Sequence, residues 1–300
     1  MSDYRTFWLQ NATADKYYFS DPSLKHFLNN VTGLGFRKNY EVDTVGNTQK
    51  VLSETFELLD IQGDLIFYED TRGGCYKAYS DFIDFAKQKP LSFYYSTPDK
   101  TKSFYCDVLF IEADKTEIKY EDSSLHVPIT FHKITQWLDD NLEIYEFSNS
   151  NVGEGKYYEL ERDYSYAGTS LSDIVVNNNG TNDVGFVFEV EGHVQSPKFE
   201  VYQNNDLPYG VCELTGTFDY VKVNSIEDSE SIQLEVETEH GTHSVPNPMS
   251  YQDLTHANGK SYATFIKLKV GTSHIVFSSG NIGDFTGKIK ISIRNTYASV

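Results

Sequence analysis

One segment, Cys75–Lys89 (CYKAYSDFIDFAKQK), carries a helical period in a chain whose other apolar residues come in short alternating runs. Tyr76, Tyr79, Phe82, Ile83 and Ala86 recur at spacings of three and four, which places them on one helical face. Asp81, Asp84, Lys87 and Lys89 fall largely on the other. Gly73 and Gly74 are expected before this helix, and Pro90 is expected to stop it, because proline cannot continue the hydrogen-bond ladder. The expectation is a single helix laid on a sheet.

Everything around it reads as strand. Glu54–Leu59 and Leu65–Tyr68 are expected to flank a turn at Gly63-Asp64. Leu91–Tyr95, Ser103–Ile111, Glu117–Tyr120 and Val127–Lys133 follow, the last alternating Val127, Ile129 and Phe131 with Pro128, Thr130 and His132. Aromatic content supports the reading: 22 Tyr and 20 Phe in 300 residues pack well on pleated surfaces. Ser148–Lys156 (SNSNVGEGK) is small, polar and glycine-containing, which is linker composition. Two domains are therefore expected, residues 1–147 and 148–300. Beyond the junction, Gly185–Glu191, Lys198–Gln203, Val211–Thr217, Tyr220–Val223, Ser231–Glu237, Phe265–Val270, His274–Ser278 and Lys288–Arg294 form short runs between Gly, Asn and Pro turns. That pattern predicts an antiparallel β-sandwich without a helix.

Charge and cysteines narrow the function. A net charge of −19 repels phosphate backbones, so direct nucleic-acid binding is not expected. Cys75, Cys106 and Cys212 stand far apart with no CxxC spacing, which fits neither a disulfide framework nor a zinc site. No basic-then-apolar leader and no run long enough to span a membrane is visible, so sequons at Asn11, Asn30 and Asn179 read as chance.

Catalytic motifs are absent: no GxSxG, phosphate loop, GxGxxG or HExxH. His240 and His243 in Glu239–His243 read as a polar surface loop, part of a long stretch, Glu239–Lys260, expected to project toward a partner. Cys106 with His126 or His132 would be the conceivable nucleophile and base, yet Cys106 sits in an apolar strand where a buried thiol is ordinary. The acidic pairs Glu69-Asp70, Glu121-Asp122 and Asp139-Asp140 are sequence neighbours, which on a strand point to opposite faces. No catalytic, cofactor-binding or metal site is assigned. Sugar recognition through exposed Tyr202, Tyr209 or Tyr251 is the alternative, and a wall-degrading hydrolase lacks a paired site.

The order of elements resembles a known family. A strand like Glu54–Leu58, a helix like Tyr79–Lys89, a strand like Pro90–Tyr95, another like Phe104–Ile111, and a strand running through Ile129 to Trp137 follow the N-terminal "belt" domain of phage distal tail proteins. The Trp137 ending, before a switch at Asn141–Tyr145, resembles lactococcal-type siphophage members. His193–Glu200, Phe265–Phe277 and the terminal Lys288–Val300 resemble the family's galectin-like second domain. No tryptophan follows Trp137, a departure from sugar-binding galectins. The resemblance implies a mainly β, non-enzymatic virion protein. It would be made and assembled in the host cytoplasm and would act at the tail tip. It would form a homo-hexameric ring joining the major tail (tube) protein, the tail-associated hub protein and receptor-binding proteins, with no cofactor. An acidic surface suits a tube through which DNA passes.

Overall fold

The computed structural model describes residues 5–20, 23–99, 101–116, 124–148, 171–203, 208–214, 216–226, 235–239, 241–244, 266–280 and 287–300. The chain divides into two compact units, one of Met1–Asn141 with Thr296–Val300, the other of Leu142–Asn295. The division falls earlier than the expected 147/148 boundary because Glu143–Ser148 is itself a strand of the second unit.

The first unit contains β1 (Thr6–Asn11), β2 (Lys16–Tyr18), β3 (His26–Thr32), β4 (Arg37–Val45), β5 (Thr48–Glu57), β6 (Ile61–Tyr68), helix α1 (Arg72–Ala86), β7 (Leu91–Ser96), β8 (Ser103–Ala113), β9 (Ser124–Lys133) and β10 (Trp137–Asp139). Its main sheet runs β2-β1-β7-β8-β9-β6-β3, all neighbours antiparallel. The ends of that order nearly meet at Phe19, whose N–H donates to the Phe7 carbonyl while its carbonyl accepts from the Leu28 N–H (2.9 and 3.1 Å). Phe19 thereby clasps a split barrel and leaves little unpaired edge. Period-two alternation sends Phe7, Leu9, Phe93, Phe104, Cys106, Val127 and Phe131 into the core.

Helix α1 begins three residues before the expected start. Thr71 is its N-cap, the hydroxyl accepting from Gly74 N–H at 3.1 Å. Gly73 and Gly74 thus lie inside the first turn. A Cβ on Gly74 would stand 2.9 Å from Glu69 Cβ, so the tight cap needs glycine there. The buried face is Cys75, Phe82 and Ala86, with Ala78, Tyr79, Ile83 and Phe85 partly covered. Tyr76, expected on that face, is exposed and lies under the Lys115 ammonium.

The turn expected at Gly63-Asp64 is not a turn, because β6 runs straight through it. Gly63 answers a bulge in β3 between Asn29 and Thr32: a Cβ there would meet the Asn29 carbonyl and Leu28 Cδ1, each at 2.9 Å. Likewise, the strand expected at Glu54–Leu59 is the second arm of a longer hairpin, β4–β5, which forms a two-stranded sheet of its own. Glu117–Tyr120 lies outside the described residues.

The second unit contains β11 (Glu143–Ser148), β12 (Leu171–Asn178), β13 (Phe186–Gln195), β14 (Lys198–Tyr202), β15 (Gly210–Glu213), β16 (Thr217–Asn224), β17 (Glu235–Thr238), β18 (Gly241–Ser244), β19 (Gly271–Ser278) and β20 (Lys288–Ile293). Two antiparallel sheets, β11-β20-β13-β16-β17-β18 and β12-β19-β14-β15, share one apolar core built on Phe186, Phe188, Phe199, Phe277, Ile289 and Ile291. This is the β-sandwich expected from the sequence. The expected strand Val211–Thr217 is instead a crossing between sheets: β15 ends at Glu213 and β16 starts at Thr217 in the other sheet. In the expected Phe265–Val270, Ile266 and Leu268 are buried, but Leu268 makes only an isolated bridge to Val184. The chain then returns to the first unit as β21 (Thr296–Tyr297), paired with β10, and Val300 N–H donates to the Leu34 carbonyl.

Candidate assembly surfaces

The residues that sequence inspection singled out for chemistry do not converge. Cys106 lies on the core face of β8, where burial pushes its thiol pKa well above the ordinary range. His132 pairs with Leu109, on the opposite face, and its Nδ1 sits 2.7 Å from an Asp60 carboxylate oxygen. His126 alternates out of the core with it and lies 3.0 Å from Ser124 Oγ. A sheet therefore separates the thiol from both imidazoles. Cys212 is also buried, its thiol pushed up to about 12. Burial lowers the pKa of Lys133, whose ammonium donates to the Gly33 carbonyl at 2.9 Å and lies over the Trp137 ring. That contact fastens the loop at Gly33.

The acidic pairs separate as well. Glu69 and Asp70 both bind Lys25, at 3.3 and 2.8 Å. Asp139 is buried and accepts from the Asn141 N–H, whereas Asp140 is exposed. Glu121 and Asp122 fall outside the described residues. Glu239 accepts from the N–H groups of Asp219 and Tyr220. The start of the expected Glu239–Lys260 loop is strand β18, an edge of the six-stranded sheet. His240 and residues 245–260 lie outside the described residues. Among the described residues no group of three or more His, Cys, Asp or Glu could hold a metal ion, and no helix is long and apolar enough to cross a membrane. Of the tyrosines suggested for sugar stacking, Tyr209 has its ring under Lys269 and its hydroxyl 3.1 Å from Ser273 Oγ. Tyr202 is half-buried on the outer side of the four-stranded sheet, and Tyr251 lies outside the described residues.

What stands out instead is a surface element that sequence reading missed. Hairpin β4–β5 pairs nine residues with ten, with a bulge between Glu41 and Val42. Its two sides differ. On one, Arg37 and Asn39 reach Glu57 (3.4 and 3.3 Å) and Ser53 Oγ donates to Glu41 (3.1 Å), so the polar groups satisfy one another. On the other, Tyr40, Val42 and Val51 are 51%, 43% and 55% exposed, with Leu52 at the bulge also 55% exposed. An isolated two-stranded ribbon is marginal in water and usually needs a further packed layer. The sequence signal was Gly46-Asn47 between alternating runs, Tyr40-Glu41-Val42 before it and Lys50-Val51 after it.

The outer side of the six-stranded sheet contrasts with it. Register aligns Glu146, Lys290, Glu189, Lys222 and Glu237 in one cross-strand row of alternating sign. Lys290 meets Glu189 at 2.9 Å, and Lys222 lies 4.0 Å from Glu189 and 3.8 Å from Glu237. A face whose charges are cancelled in place gains little from a partner.

Comparison with known proteins gives this fold a class. Residues 6–134 match the family model described as the distal tail protein, N-terminal domain. The fold of the whole chain is similar to that of a chain in the phage P2 baseplate in its activated conformation with calcium. That similarity has a TM-score of 0.54 at 15% identity, covering 99% of this chain and 100% of that one. It is also similar to the Dit protein of SPP1, described as a paradigm of the hub adsorption apparatus in phages that infect Gram-positive hosts. There the TM-score is 0.61 at 10% identity, covering 96% and 98%. No curated protein sequence matches the chain. These likenesses define a structural protein of a phage tail. The sequence match lies wholly within the first unit, and the likeness of the rest of the chain is one of fold.

Proposed function

We propose that copies of this chain form a ring, six by the family resemblance, at the distal end of a siphophage tail tube. The first unit serves as the belt that closes the ring. The second, a galectin-like sandwich, points outward. One side of the ring docks the major tail (tube) protein and the other the tail-associated hub protein, with receptor-binding proteins carried on the outward units. The chain does its work through interfaces, with no catalytic site, cofactor or resident metal and no direct binding of nucleic acid or membrane.

What supports this reading is the β4–β5 hairpin, whose one side pairs its polar groups among themselves while the other exposes Tyr40, Val42 and Val51. Side chains such as Tyr40, Val42 and Val51 gain roughly 25 cal/mol for each Å² of apolar surface that a neighbour removes from water. A wall-binding lectin would need free aromatic faces, and Tyr209 has spent its own on Lys269. The test is mass and shape. Light scattering and negative-stain images of the full chain, alone and with tail partners, should show a multiple of 34.2 kDa and a ring with a central hole. A solitary 34.2 kDa particle under all of these conditions would overturn the reading.

A further inference from the structure

Strands β3 to β6 make one long hairpin with a joint in it. The inner pair, β3 and β6, is registered as far as Thr32 and Gln62, and the outer pair, β4 and β5, resumes at Arg37 and Glu57. Between them the ladder lapses over Gly33–Phe36 on one side and Leu58–Asp60 on the other. Beyond the joint every described residue from Asn39 to Thr55 is exposed, so the outer pair stands off the barrel as an arm. Two ladders joined by a few unpaired residues have the build of a hinge, because those residues absorb any change of backbone angle.

The joint is held from two sides. His132 and Lys133, consecutive at the end of β9, point to opposite faces of the sheet, and each grips one stem. Lys133 is 2% exposed, and its ammonium donates to the Gly33 carbonyl at 2.9 Å. His132 places Nδ1 2.7 Å from the Asp60 carboxylate. At this level the stems touch: Gly33 has a φ of +83°, and a Cβ on it would stand 2.0 Å from the Asp60 carbonyl oxygen. Desolvating an ammonium opposes folding, and an apolar side chain of similar volume usually stabilises a core as well or better. What Lys133 adds, and an apolar side chain would not, is a hold on Gly33.

We infer that His132 and Lys133 form a latch that fixes the direction in which the β4–β5 arm leaves the barrel. Gripping the two stems from opposite faces stops the joint from rocking either way, which neither contact does alone. The latch stands on this geometry, whereas its use rests on the ring reading. There the arm's direction sets the rotation between neighbouring copies. A contact between unlike patches closes into a ring at one rotation and runs on as an open filament at others. Both side chains are positioning residues in this account.

Spin labels on Asn47→Cys, at the arm's corner, and Asp84→Cys, on the exposed side of α1, read that direction as a distance in the full chain, whose three native thiols are buried. The labelled chain is kept dilute enough that copies do not associate. The parent should give a narrow distribution. Lys133→Met and His132→Ala should each broaden it at least about twofold, as a released hinge does, and Lys133→Met should do so without lowering the thermal melt. A lysine kept only to brace the barrel would do the reverse, lowering the melt and leaving the distances alone. Distances no broader than the parent's in the folded double variant overturn the latch. Should Lys133→Met fail to fold, His132→Ala decides by the same criterion. A parent chain that never associates at any concentration sinks the ring reading instead, and the latch is still judged by its distances.

Discussion

The Glu143 carboxylate accepts a 2.7 Å hydrogen bond from the side-chain amide of Asn295, tying the first residues of the second unit to its last. Asn295 is 1% exposed and also accepts from the Asn179 N–H at 3.1 Å. Beside this clasp, β11 and β20 pair over six registered positions, Glu143–Ser148 against Ile293–Lys288. The second unit thus has both ends fastened within itself. Residues 142–295 expressed alone should fold to a cooperative all-β domain, with circular dichroism and a single thermal transition as the readout. Asn295→Ala in that fragment should cost about 1–3 kcal/mol, because it removes the buried partner of a half-buried carboxylate and of a backbone donor. A fragment without a transition would contradict this.

Phe82 is the side chain through which α1 is fixed. It is fully buried, with Tyr17 at 5.3 Å, Phe110 at 5.9 Å and Phe19 at 6.2 Å between ring centres. Phe82→Ala should destabilise the first unit by about 3–5 kcal/mol, the usual cost of a large cavity with aromatic walls. Denaturant titration of the full chain should show this loss, and the isolated 142–295 fragment, which lacks the site, gives the reference transition.

His26 should make the barrel seam sensitive to acid. Its ring stacks on Tyr17 at 4.7 Å, approaches Phe67, and places Nε2 2.9 Å from the Tyr18 carbonyl, so this nitrogen donates. Burial lowers its pKa below the ordinary histidine value, against the opposing pull of the Tyr18 carbonyl and the Glu69 charge. A depressed histidine contributes stability that is complete above about pH 6.5 and is lost as pH falls through that value toward the folded pKa. The first unit should therefore melt lower at pH 5.5 than at pH 7.5, and His26→Gln should flatten that difference. An NMR titration placing the His26 midpoint above 6.5 would refute it.

Glu189 stands between Lys290 and Lys222 in the charged row of the six-stranded sheet. Glu189→Lys would set three like charges side by side, and directly opposed like charges destabilise a sheet. A loss of about 1 kcal/mol is expected, shrinking in high salt as these half-exposed groups are screened. A salt-independent loss would assign the effect to packing instead.

Much of the architecture was legible because alternation is a strong signal wherever one side of a strand is dry. Lys288–Ile293 shows Ile289, Ile291 and Ile293 buried, as their spacing requires. The helix was legible from its period, though its start was not: the Thr71 cap and the close approach of Glu69 decide where the turn begins, and neither leaves a periodic trace. Gly63 read as a turn because a strand glycine facing a bulge has the same letter as a turn glycine, and the bulge lies some thirty residues away. Strand β12 escaped notice because the buried apolar pair Ile174 and Val176 runs straight into an asparagine run. The hairpin was hardest. Tyr40, Val42, Val51 and Leu52 are exposed, so no core pattern marks them, and the Gly46-Asn47 corner is what betrays it.

The return of the backbone through β21 has a consequence for durability. The chain enters the second unit at Asn141-Leu142 and leaves it at Asn295-Thr296, so two covalent crossings join the units. A host protease that cleaves either crossing leaves the other as a tether, and the severed end is still held by the β10–β21 ladder, Trp137 to Tyr297 and Leu138 to Thr296. Releasing the second unit from the first would take two cuts.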